Sequence, residues 1–391
     1  MESISSFSIS GMPKIFFGAG TFSDLHKIMR SYGRNALIIT GGKSFKQSGR
    51  LDALASQLDQ SKIKYNTVSV RGEPTAEAID AITREYRKMP VAVVVAIGGG
   101  SVIDCGKAVA AMLAEDGNVK DYLEGIGTRK LSGAKVPFIA VPTTAGTGSE
   151  ATKNAVVCDR KEGYKKSLRH DAYMPDVAVV DPELTLTAPQ QITITCGLDA
   201  ITQLIESYTS VKANVFTDSL ALKALSFAAQ SLLPLSTDHS DDIYLRGKMS
   251  YAALISGITL SHAGLGAVHG IAGPLGGLFP VPHGAACGKL LFPVMTHVVN
   301  KIIAEKNIAA QKRFADIGRL ITSDSGNDDI FCCELFLGVL RNWTEMLKLP
   351  QLSCFGMTSA DMEKAITLAD SKNSPALLSQ EEMRIILESV L

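Results

Sequence analysis

Short apolar runs alternate with longer amphipathic stretches along the chain as far as Pro189. The runs are apolar throughout rather than at every second residue, so they predict strands covered on both faces, as in a parallel sheet. The strand–helix order predicts an open α/β sheet that binds ligands at the carboxyl ends of its strands. The predicted strands are Ala36–Thr40, Tyr65–Val70, Val91–Ile97, Phe138–Val141 and Val177–Val180, and the predicted helices are Phe45–Gln60, Ala76–Lys88 and Val102–Ala114.

The pattern changes after Pro189, where helical periodicity replaces the strand pattern. A chain of 391 residues is long enough for two domains, and we predict an α/β domain at 1–189 followed by an all-helical domain at 190–391. The helices predicted there are Leu198–Thr209, Thr217–Leu233, Leu245–Leu260, Ala285–Val299, Ala304–Leu320, Ile330–Leu347 and Ala360–Ala369.

The charge balance of the chain argues against several classes of partner. Its 39 basic and 39 acidic residues cancel, so we expect no binding to nucleic acid or to an anionic membrane. The longest clean apolar run, Val91–Ile97, is far too short to span a bilayer. Seven cysteines, an odd number without zinc-knuckle spacing, argue against a disulfide framework and suggest a reducing, cytoplasmic location.

Two loops rich in hydrogen-bond donors follow buried strands. Gly98, Gly99 and Gly100 precede Ser101 and a predicted helix. Glycines permit positive φ and let the backbone approach a ligand closely, and the start of a helix offers free N–H groups. This loop therefore suits a phosphate. The segment 142–150 follows the strand Phe138–Val141 and is rich in threonine, serine and glycine. Either loop alone could be an ordinary turn, but two such loops at one sheet edge favour a dinucleotide.

A second constellation lies in the helical half. Asp199 and Gln203 are four residues apart at a predicted helix start, and His269 and His283 lie in glycine- and proline-containing segments further along. A carboxylate and two imidazoles suit a divalent first-row metal that acts as a Lewis acid. An aspartate in the first turn of a helix is more often a cap, and a single histidine beside glycine is more often structural, so spacing alone does not establish the site.

Together these motifs resemble the iron-containing (group III) alcohol dehydrogenase family, which has the dehydroquinate synthase-like fold. The resemblance runs nearly end to end and includes Phe17–Gly20, Gly98–Asp104, Pro142–Glu150, Pro175–Leu184 and Gly264–Gly284. It implies hydride transfer between a nicotinamide cofactor and an alcohol or aldehyde, with the active site between the two domains. It also implies a homodimer.

The resemblance also implies roles for individual residues. The pyrophosphate would contact the loop from Gly98 to Ser101, with Asp104 in the same motif. The ribose and nicotinamide end would meet Thr143, Thr144, Thr147, Ser149 and Lys165, with Lys166 as a close alternative to Lys165. Leu184 would lie against the adenine, and the metal, iron or zinc, would be held at the positions of Asp199, Gln203, His269 and His283.

Two positions depart from the family pattern. Gln203 stands where the family has a metal-binding histidine, and Gly273 stands where it has a further histidine often assigned to proton relay. An amide oxygen is a poorer ligand than imidazole for late first-row metals. The site is therefore expected to bind metal weakly, to prefer a harder metal such as Mn or Mg, or to work without metal through Gln203, His269 and His283. His262, seven residues before His269 and able to lie on the same helical face, could partly substitute for the relay imidazole missing at Gly273.

The loop after the first predicted strand bears on the choice of nicotinamide cofactor. Gly41, Gly42 and Ser44 follow that strand, and no carboxylate is present to hold a ribose 2′-hydroxyl. Lys43 and Lys46 could accept a 2′-phosphate, so the loop favours NADP over NAD, although it could be only a helix start capped by Ser44.

The leading hypothesis is metal-assisted, reversible alcohol and aldehyde interconversion. Two alternatives are a metal-independent reductase similar to maleylacetate reductase and a catalytically silent nucleotide-binding protein. A small, apolar substrate site is expected to draw on Leu278, Phe279, Ala272 and Gly273.

Overall fold

The computed structural model describes residues 4, 6–159, 161–324 and 328–391. Contacts divide the chain into two compact units. One is Ser10–Pro189, and the other is Gln190–Leu391 together with the described residues that precede Ser10. The division after Pro189 coincides with the boundary chosen from the sequence, whereas the predicted first domain also contained those N-terminal residues.

The first unit is built on a six-stranded sheet with the order β1-β8-β5-β4-β2-β3. All its pairs are parallel, as predicted. Its strands are β1 (Lys14–Phe17), β2 (Asn35–Thr40), β3 (Lys64–Ser69), β4 (Val93–Gly98), β5 (Phe138–Pro142) and β8 (Val177–Val180). Edge strand β1 was not predicted, because its apolar run, Ile15–Phe17, is only three residues long; its four residues are mostly exposed.

Residues of strand β4 show why an unbroken apolar run marks a central strand. Val94 and Ala96 join the hydrophobic core on one face of the sheet, and Val93 and Val95 join the core on the other. Helices therefore cover both faces, and every residue of β4 is buried.

The helices of this unit are α1 (Leu25–Tyr32), α2 (Ser44–Gln47), α3 (Arg50–Gln60), α4 (Ala76–Tyr86) and α5 (Gly100–Met112). The single helix predicted at Phe45–Gln60 is in fact α2 and α3, because Gly49 between them has a left-handed φ of 73°. A hairpin of β6 (Asn154–Asp159) and β7 (Tyr164–Arg169) pairs antiparallel and was not predicted.

The second unit is helical where it is described, as predicted. Its helices are α6 (Gln190–Thr209), α7 (Val215–Leu235), α8 (Ile243–Ala263), α9 (Ala267–Leu278), α10 (His283–Ala304), α11 (Ile308–Thr322), α12 (Asp329–Leu347), α13 (Met362–Leu368) and α14 (Gln380–Val390). Helix α9 was missed because Pro274 and four glycines give its sequence a low helix propensity. Helix α14 was also missed.

Among the helices of the described residues, no single one is both long and apolar enough to cross a bilayer. Helices α8 and α9 reach that length and composition only as a pair, and the pair is bent by 101°.

Candidate cofactor loops and metal centre

The two donor-rich loops lie side by side at the carboxyl edge of the sheet. Strands β4 and β5 are neighbours, and their register pairs Gly98 with Pro142, the last residue of each strand. The Thr143 N–H then donates to the Gly98 carbonyl at 2.9 Å. The structure therefore brings together the glycine loop and the threonine loop, which the sequence placed at one edge.

Close packing explains the glycines of the first loop. A Cβ atom at Gly98 would lie 2.6 Å from the Val102 side chain, and one at Gly100 would lie 2.5 Å from Thr147 Oγ1. The expected need for positive φ was wrong, because the glycines with positive φ in the described chain do not include these three. Gly98 lets Val102 of α5 pack closely, and Gly99 and Gly100 let the second loop approach the start of that helix.

Helix α5 begins at Gly100, directly after β4, and within the described chain its N-terminus has no side-chain cap. Backbone N–H groups and the positive end of the helix dipole suit an anion at this position. Ser101 lies half-buried in the first turn of the helix. The local structure thus has the features of a pyrophosphate cradle.

Two charged residues of α5 hold the threonine loop in place. Asp104 accepts hydrogen bonds from the Ser149 hydroxyl and, at 3.1 Å, from the Val156 N–H. Lys107 is buried, and its ammonium lies 2.7–3.4 Å from oxygens of Ser149, Thr152 and Asn154. Both residues therefore fix the shape of the loop, a role that the sequence did not indicate for Lys107.

Burial is the main influence on the pKa of the Lys107 ammonium and lowers it to about 8, although Asp104 and Glu150 oppose that shift. Burial also raises the pKa of Glu150 to about 7. The loop is therefore anchored on a desolvated cluster of charges rather than on surface contacts.

The remaining predicted cofactor residues occupy different surroundings. Lys165 on β7 forms an ion pair with Glu73, while Lys166 is exposed. Leu184 is only 3% exposed and belongs to the core on one face of the sheet. The structure leaves little of its side chain accessible.

The loop after β2 contains Gly41, Gly42 and Ser44. Ser44 does not cap α2, because Lys43 occupies the cap position and, in this described segment, no side-chain cap bond forms. A Cβ atom at Gly42 would lie 3.7 Å from Arg71 Nε, so an exposed guanidinium borders this loop. The sequence did not point to Arg71, which comes from the segment after β3.

In the helical unit, Asp199, His269 and His283 converge although three separate helices carry them. Asp199 Oδ1 lies 3.3 Å from His269 Nε2 and 3.8 Å from His283 Nε2. A cysteine that the sequence did not single out, Cys287, joins them, with its Sγ 3.6 Å from His269 Nε2 and 3.7 Å from His283 Nε2. One ligand atom from each of the four residues lies within 4.8 Å of all the others.

Small residues on α10 explain how the helices come close enough. A Cβ atom at Gly284 would lie 2.3 Å from the Thr195 carbonyl oxygen, and one at Gly288 would lie 2.6 Å from Leu198 Cδ1. Helices α6 and α10 therefore pack with their backbones near each other, which brings His283 and Cys287, one turn apart, against Asp199. Gly288 follows Cys287 directly, a local signal that could have drawn attention to this face.

Glu206 fixes the orientation of His269. Its carboxylate lies 2.6 Å from His269 Nδ1 and accepts the Val268 N–H, also at 2.6 Å, in the first turn of α9. This arrangement leaves His269 Nε2 facing Asp199, as in carboxylate–histidine–metal groupings. Gly266 permits it, because a Cβ there would lie 2.9 Å from Glu206 Oε1.

The two unusual positions have distinct surroundings. Gln203 is buried, and its Oε1 accepts a hydrogen bond from Ser256 Oγ at 2.6 Å. A Cβ atom at Gly273 would meet nothing within 4 Å, which agrees with the expectation that glycine leaves room there. Ala272, predicted to line a substrate site with Gly273, is instead fully buried in the core.

Two sequence-based interpretations of this region were wrong. Asp199 is not at a helix start, since α6 begins at Gln190 and Asp199 lies well inside it, so it is not an N-terminal cap. His262 does not share a helix with His269, because α8 ends at Ala263 and α9 is bent away by 101°. The His262 ring instead packs against Phe216, and its Nδ1 lies 2.7 Å from the Ile258 carbonyl.

Most of the cluster is shielded from solvent. The side chains of Asp199 and His269 are 2% and 3% exposed, whereas His283 is 27% exposed and gives the cluster its access to solvent. Burial raises the pKa of Asp199, but the imidazoles of His283 and His269 outweigh it and hold that pKa below its usual value. A buried carboxylate, two imidazoles and a thiol form a donor set that fits a divalent transition metal.

Family models cover nearly the whole chain. Residues 13–182 match the model described as iron-containing alcohol dehydrogenase, and residues 193–391 match that of the C-terminal part of the Fe-containing alcohol dehydrogenase family.

Individual proteins give the same result. Long-chain-alcohol dehydrogenase 1 of Geobacillus thermodenitrificans is 32% identical over 80% of this chain and 77% of its own length. The NADPH-dependent butanol dehydrogenase of Clostridium saccharobutylicum is 29% identical over 96% of each chain. The crystal structure of an iron-containing alcohol dehydrogenase from Thermotoga maritima covers 99% of both chains, with a TM-score of 0.82 and 27% identity.

Proposed function

Because this chain belongs to the iron-containing alcohol dehydrogenase family, an oxidoreductase family that uses NAD(P), we propose that it reduces small aldehydes with NADPH, reversibly and with metal assistance. The main observation behind this proposal is that Asp199, His269 and His283 converge. The Asp199 carboxylate lies 3.3 Å from His269 Nε2 and 3.8 Å from His283 Nε2, and all three residues belong to one cluster of potential metal ligands.

Each unit contributes one part of the chemistry. In the α/β unit, the loop Gly98–Ser101 binds the pyrophosphate, and Thr143, Thr144, Thr147 and Ser149 supply donors beside it. Asp104 holds Ser149, and through it the loop, in position. We also propose Lys165 and Leu184 as cofactor contacts, although Lys165 is paired with Glu73 and Leu184 is nearly buried.

In the helical unit, Asp199, His269 and His283 would hold a divalent metal, which supplies a Lewis acid for the oxygen of the carbonyl substrate. Glu206 orients His269 so that Nε2 faces the ligand cluster. His283 is the most solvent-accessible of these three residues, so solvent reaches the cluster on its side. With Gly273 in place of a relay imidazole, we expect solvent to supply the proton.

The choice of NADPH rests on the loop after β2. Arg71 borders Gly42, and the cations Lys43, Lys46 and Arg71 suit a 2′-phosphate better than a neutral 2′-hydroxyl. The Clostridium relative is named as NADPH-dependent, which agrees with this assignment. The homodimer that the resemblance implies and the cytoplasmic location that the cysteines suggest stay predictions.

The direct test is NADPH oxidation by the purified protein with a panel of aliphatic and aromatic aldehydes, with Zn²⁺, Fe²⁺, Co²⁺ or Mn²⁺ added. We expect turnover with at least one metal and a higher kcat/KM for NADPH than for NADH. Absence of turnover with every metal would overturn the function, and a strong preference for NADH would overturn the cofactor assignment.

A further inference from the structure

The surroundings of Gln203 argue against its amide as a metal ligand. Its oxygen, the atom that would bind a metal, accepts a hydrogen bond of 2.6 Å from Ser256 on α8. Ser256 Oγ also lies 2.8 Å from the Ala253 carbonyl within the same helix, so the hydroxyl is held in place. The hydrogen bond orients the Gln203 amide oxygen toward Ser256 and occupies one of its two lone pairs, and a neutral amide oxygen is a weak ligand for a late first-row metal.

Cys287 has the geometry that a ligand needs. In a tetrahedral zinc site with Zn–S of about 2.3 Å and Zn–N of about 2.0–2.1 Å, sulfur and nitrogen ligands lie about 3.6 Å apart. The Sγ of Cys287 lies 3.6 Å from His269 Nε2 and 3.7 Å from His283 Nε2. The separation of 3.3 Å between Asp199 Oδ1 and His269 Nε2 likewise matches the roughly 3.4 Å expected between oxygen and nitrogen ligands.

The position of Cys287 in the helix supports the same role. It follows His283 by one turn, so both side chains project from one face of α10, and Gly288 beside it lets that face approach α6 closely. Cys287 is fully buried, and its Sγ faces two imidazoles. An ordinary core cysteine would be surrounded by apolar side chains only.

We propose that Cys287 is the fourth protein ligand of the metal centre, in place of Gln203. This inference rests on the proposed function, since it concerns the same metal, which would take the substrate oxygen as a fifth ligand beside the four protein ligands. On binding, the Sγ–H bond breaks, a metal–sulfur bond forms and the proton leaves to solvent. A thiolate with two imidazoles and one carboxylate selects a soft or borderline ion, so the site prefers Zn²⁺ over Mg²⁺ or Mn²⁺. The harder metals expected from Gln203 alone are thereby disfavoured.

Spectroscopy of the full-length protein loaded with one metal per chain tests the ligand directly. The Co²⁺ form is expected to show a near-ultraviolet thiolate-to-cobalt charge-transfer band, and X-ray absorption of the Zn²⁺ form to show one sulfur at about 2.3 Å. Both signals should disappear in Cys287→Ser and persist in Gln203→Leu, which adds no sulfur, and the exposed Cys354→Ser is the matched cysteine control.

Zinc affinity gives a second, independent measurement. Outer-shell changes typically lower metal affinity by roughly 10–100-fold. We expect the Zn²⁺ affinity of Cys287→Ser to fall by more than that, and the affinity of Gln203→Leu to fall by less. Circular dichroism of each variant establishes that it folds. If Cys287→Ser fails to fold, the sulfur signal of the wild-type protein decides the question alone.

The proposal is overturned if wild-type protein holding one metal shows only nitrogen and oxygen neighbours, or if the band survives in Cys287→Ser. It is also overturned if Gln203→Leu loses both the band and the affinity. A sulfur ligand without aldehyde reduction would refute the proposed function and support Cys287. Metal-dependent reduction without a sulfur ligand would refute Cys287 alone.

Discussion

The cofactor loops and the metal centre are built in opposite ways. The loops consist of consecutive residues at the ends of two neighbouring strands, and backbone groups supply much of their chemistry. The proposed metal centre consists of single side chains from helices α6, α9 and α10. In the loops glycine lets the threonine loop pack against the start of α5, and in the proposed centre it lets helices approach each other.

This difference predicts how each region fails. A change in the loops alters the shape of a surface and should affect cofactor binding while the metal stays. A change in the centre removes a ligand and should affect the metal while the cofactor still binds. Single variants that impair both cofactor binding and metal binding would contradict this difference between the two regions.

The largest effect is expected for Asp199→Ala. Asp199 is the carboxylate that faces the Nε2 atoms of both imidazoles, so its loss should abolish stoichiometric metal and lower kcat/KM for the aldehyde by on the order of 10³-fold. Elemental analysis and steady-state kinetics measure this, and NADPH binding by fluorescence should be unchanged. Asp238→Ala, at an exposed site of the same unit, is the control. Retention of metal by Asp199→Ala would contradict the assignment.

The next effect is expected for Gly100→Ala. The new Cβ would lie 2.5 Å from Thr147 Oγ1 and push the threonine loop away from α5. A displacement of this kind should weaken NADPH binding by on the order of 10²-fold, with the metal content unchanged. Isothermal titration with NADPH measures it, and Gly11→Ala, where a Cβ meets nothing within 4 Å, is the control. Wild-type affinity in Gly100→Ala would show that this contact does not shape the site.

A smaller effect on the metal is expected for Glu206→Gln. An amide in place of the carboxylate weakens the hold on His269 Nδ1 without removing a ligand, so Zn²⁺ affinity should fall by roughly 10–100-fold. Competition with a chromophoric chelator measures this affinity, with the exposed Glu305→Gln as the control. An unchanged affinity would mean that Glu206 serves only to cap α9.

The smallest effect is expected for Arg71→Ala. The guanidinium borders Gly42 at the surface, so its removal should lower the NADPH-to-NADH ratio of kcat/KM by only a few-fold, as for exposed charge pairs. The two cofactors are compared in steady-state assays, with the exposed Lys62→Ala as the control. An equal loss with both cofactors would indicate that Arg71 does not contact a 2′-phosphate.

The same contrast decides what the sequence could predict. The parallel sheet and both loops were predictable, because Val91–Gly100 and Phe138–Glu150 carry their strand, turn and donor signals within a few consecutive residues. Asp199, His269 and His283 were found through a family pattern, since no local rule joins residues so far apart in the chain.

Cys287 and Glu206 were missed for a physical reason. Cys287 resembles any buried core cysteine until the packing of α10 on α6 is known, and Glu206 resembles any helix carboxylate until α9 is placed. Helix α9 itself was hidden by its glycines and Pro274, although tertiary packing stabilises it as a helix.

The most direct test of the whole account is a metal titration of activity. Protein stripped by chelation should not oxidise NADPH with any aldehyde of the panel, and activity should return linearly with added Zn²⁺ until one ion is bound per chain. Full activity after exhaustive chelation, with no metal found by elemental analysis, would contradict the account and favour a metal-independent reductase.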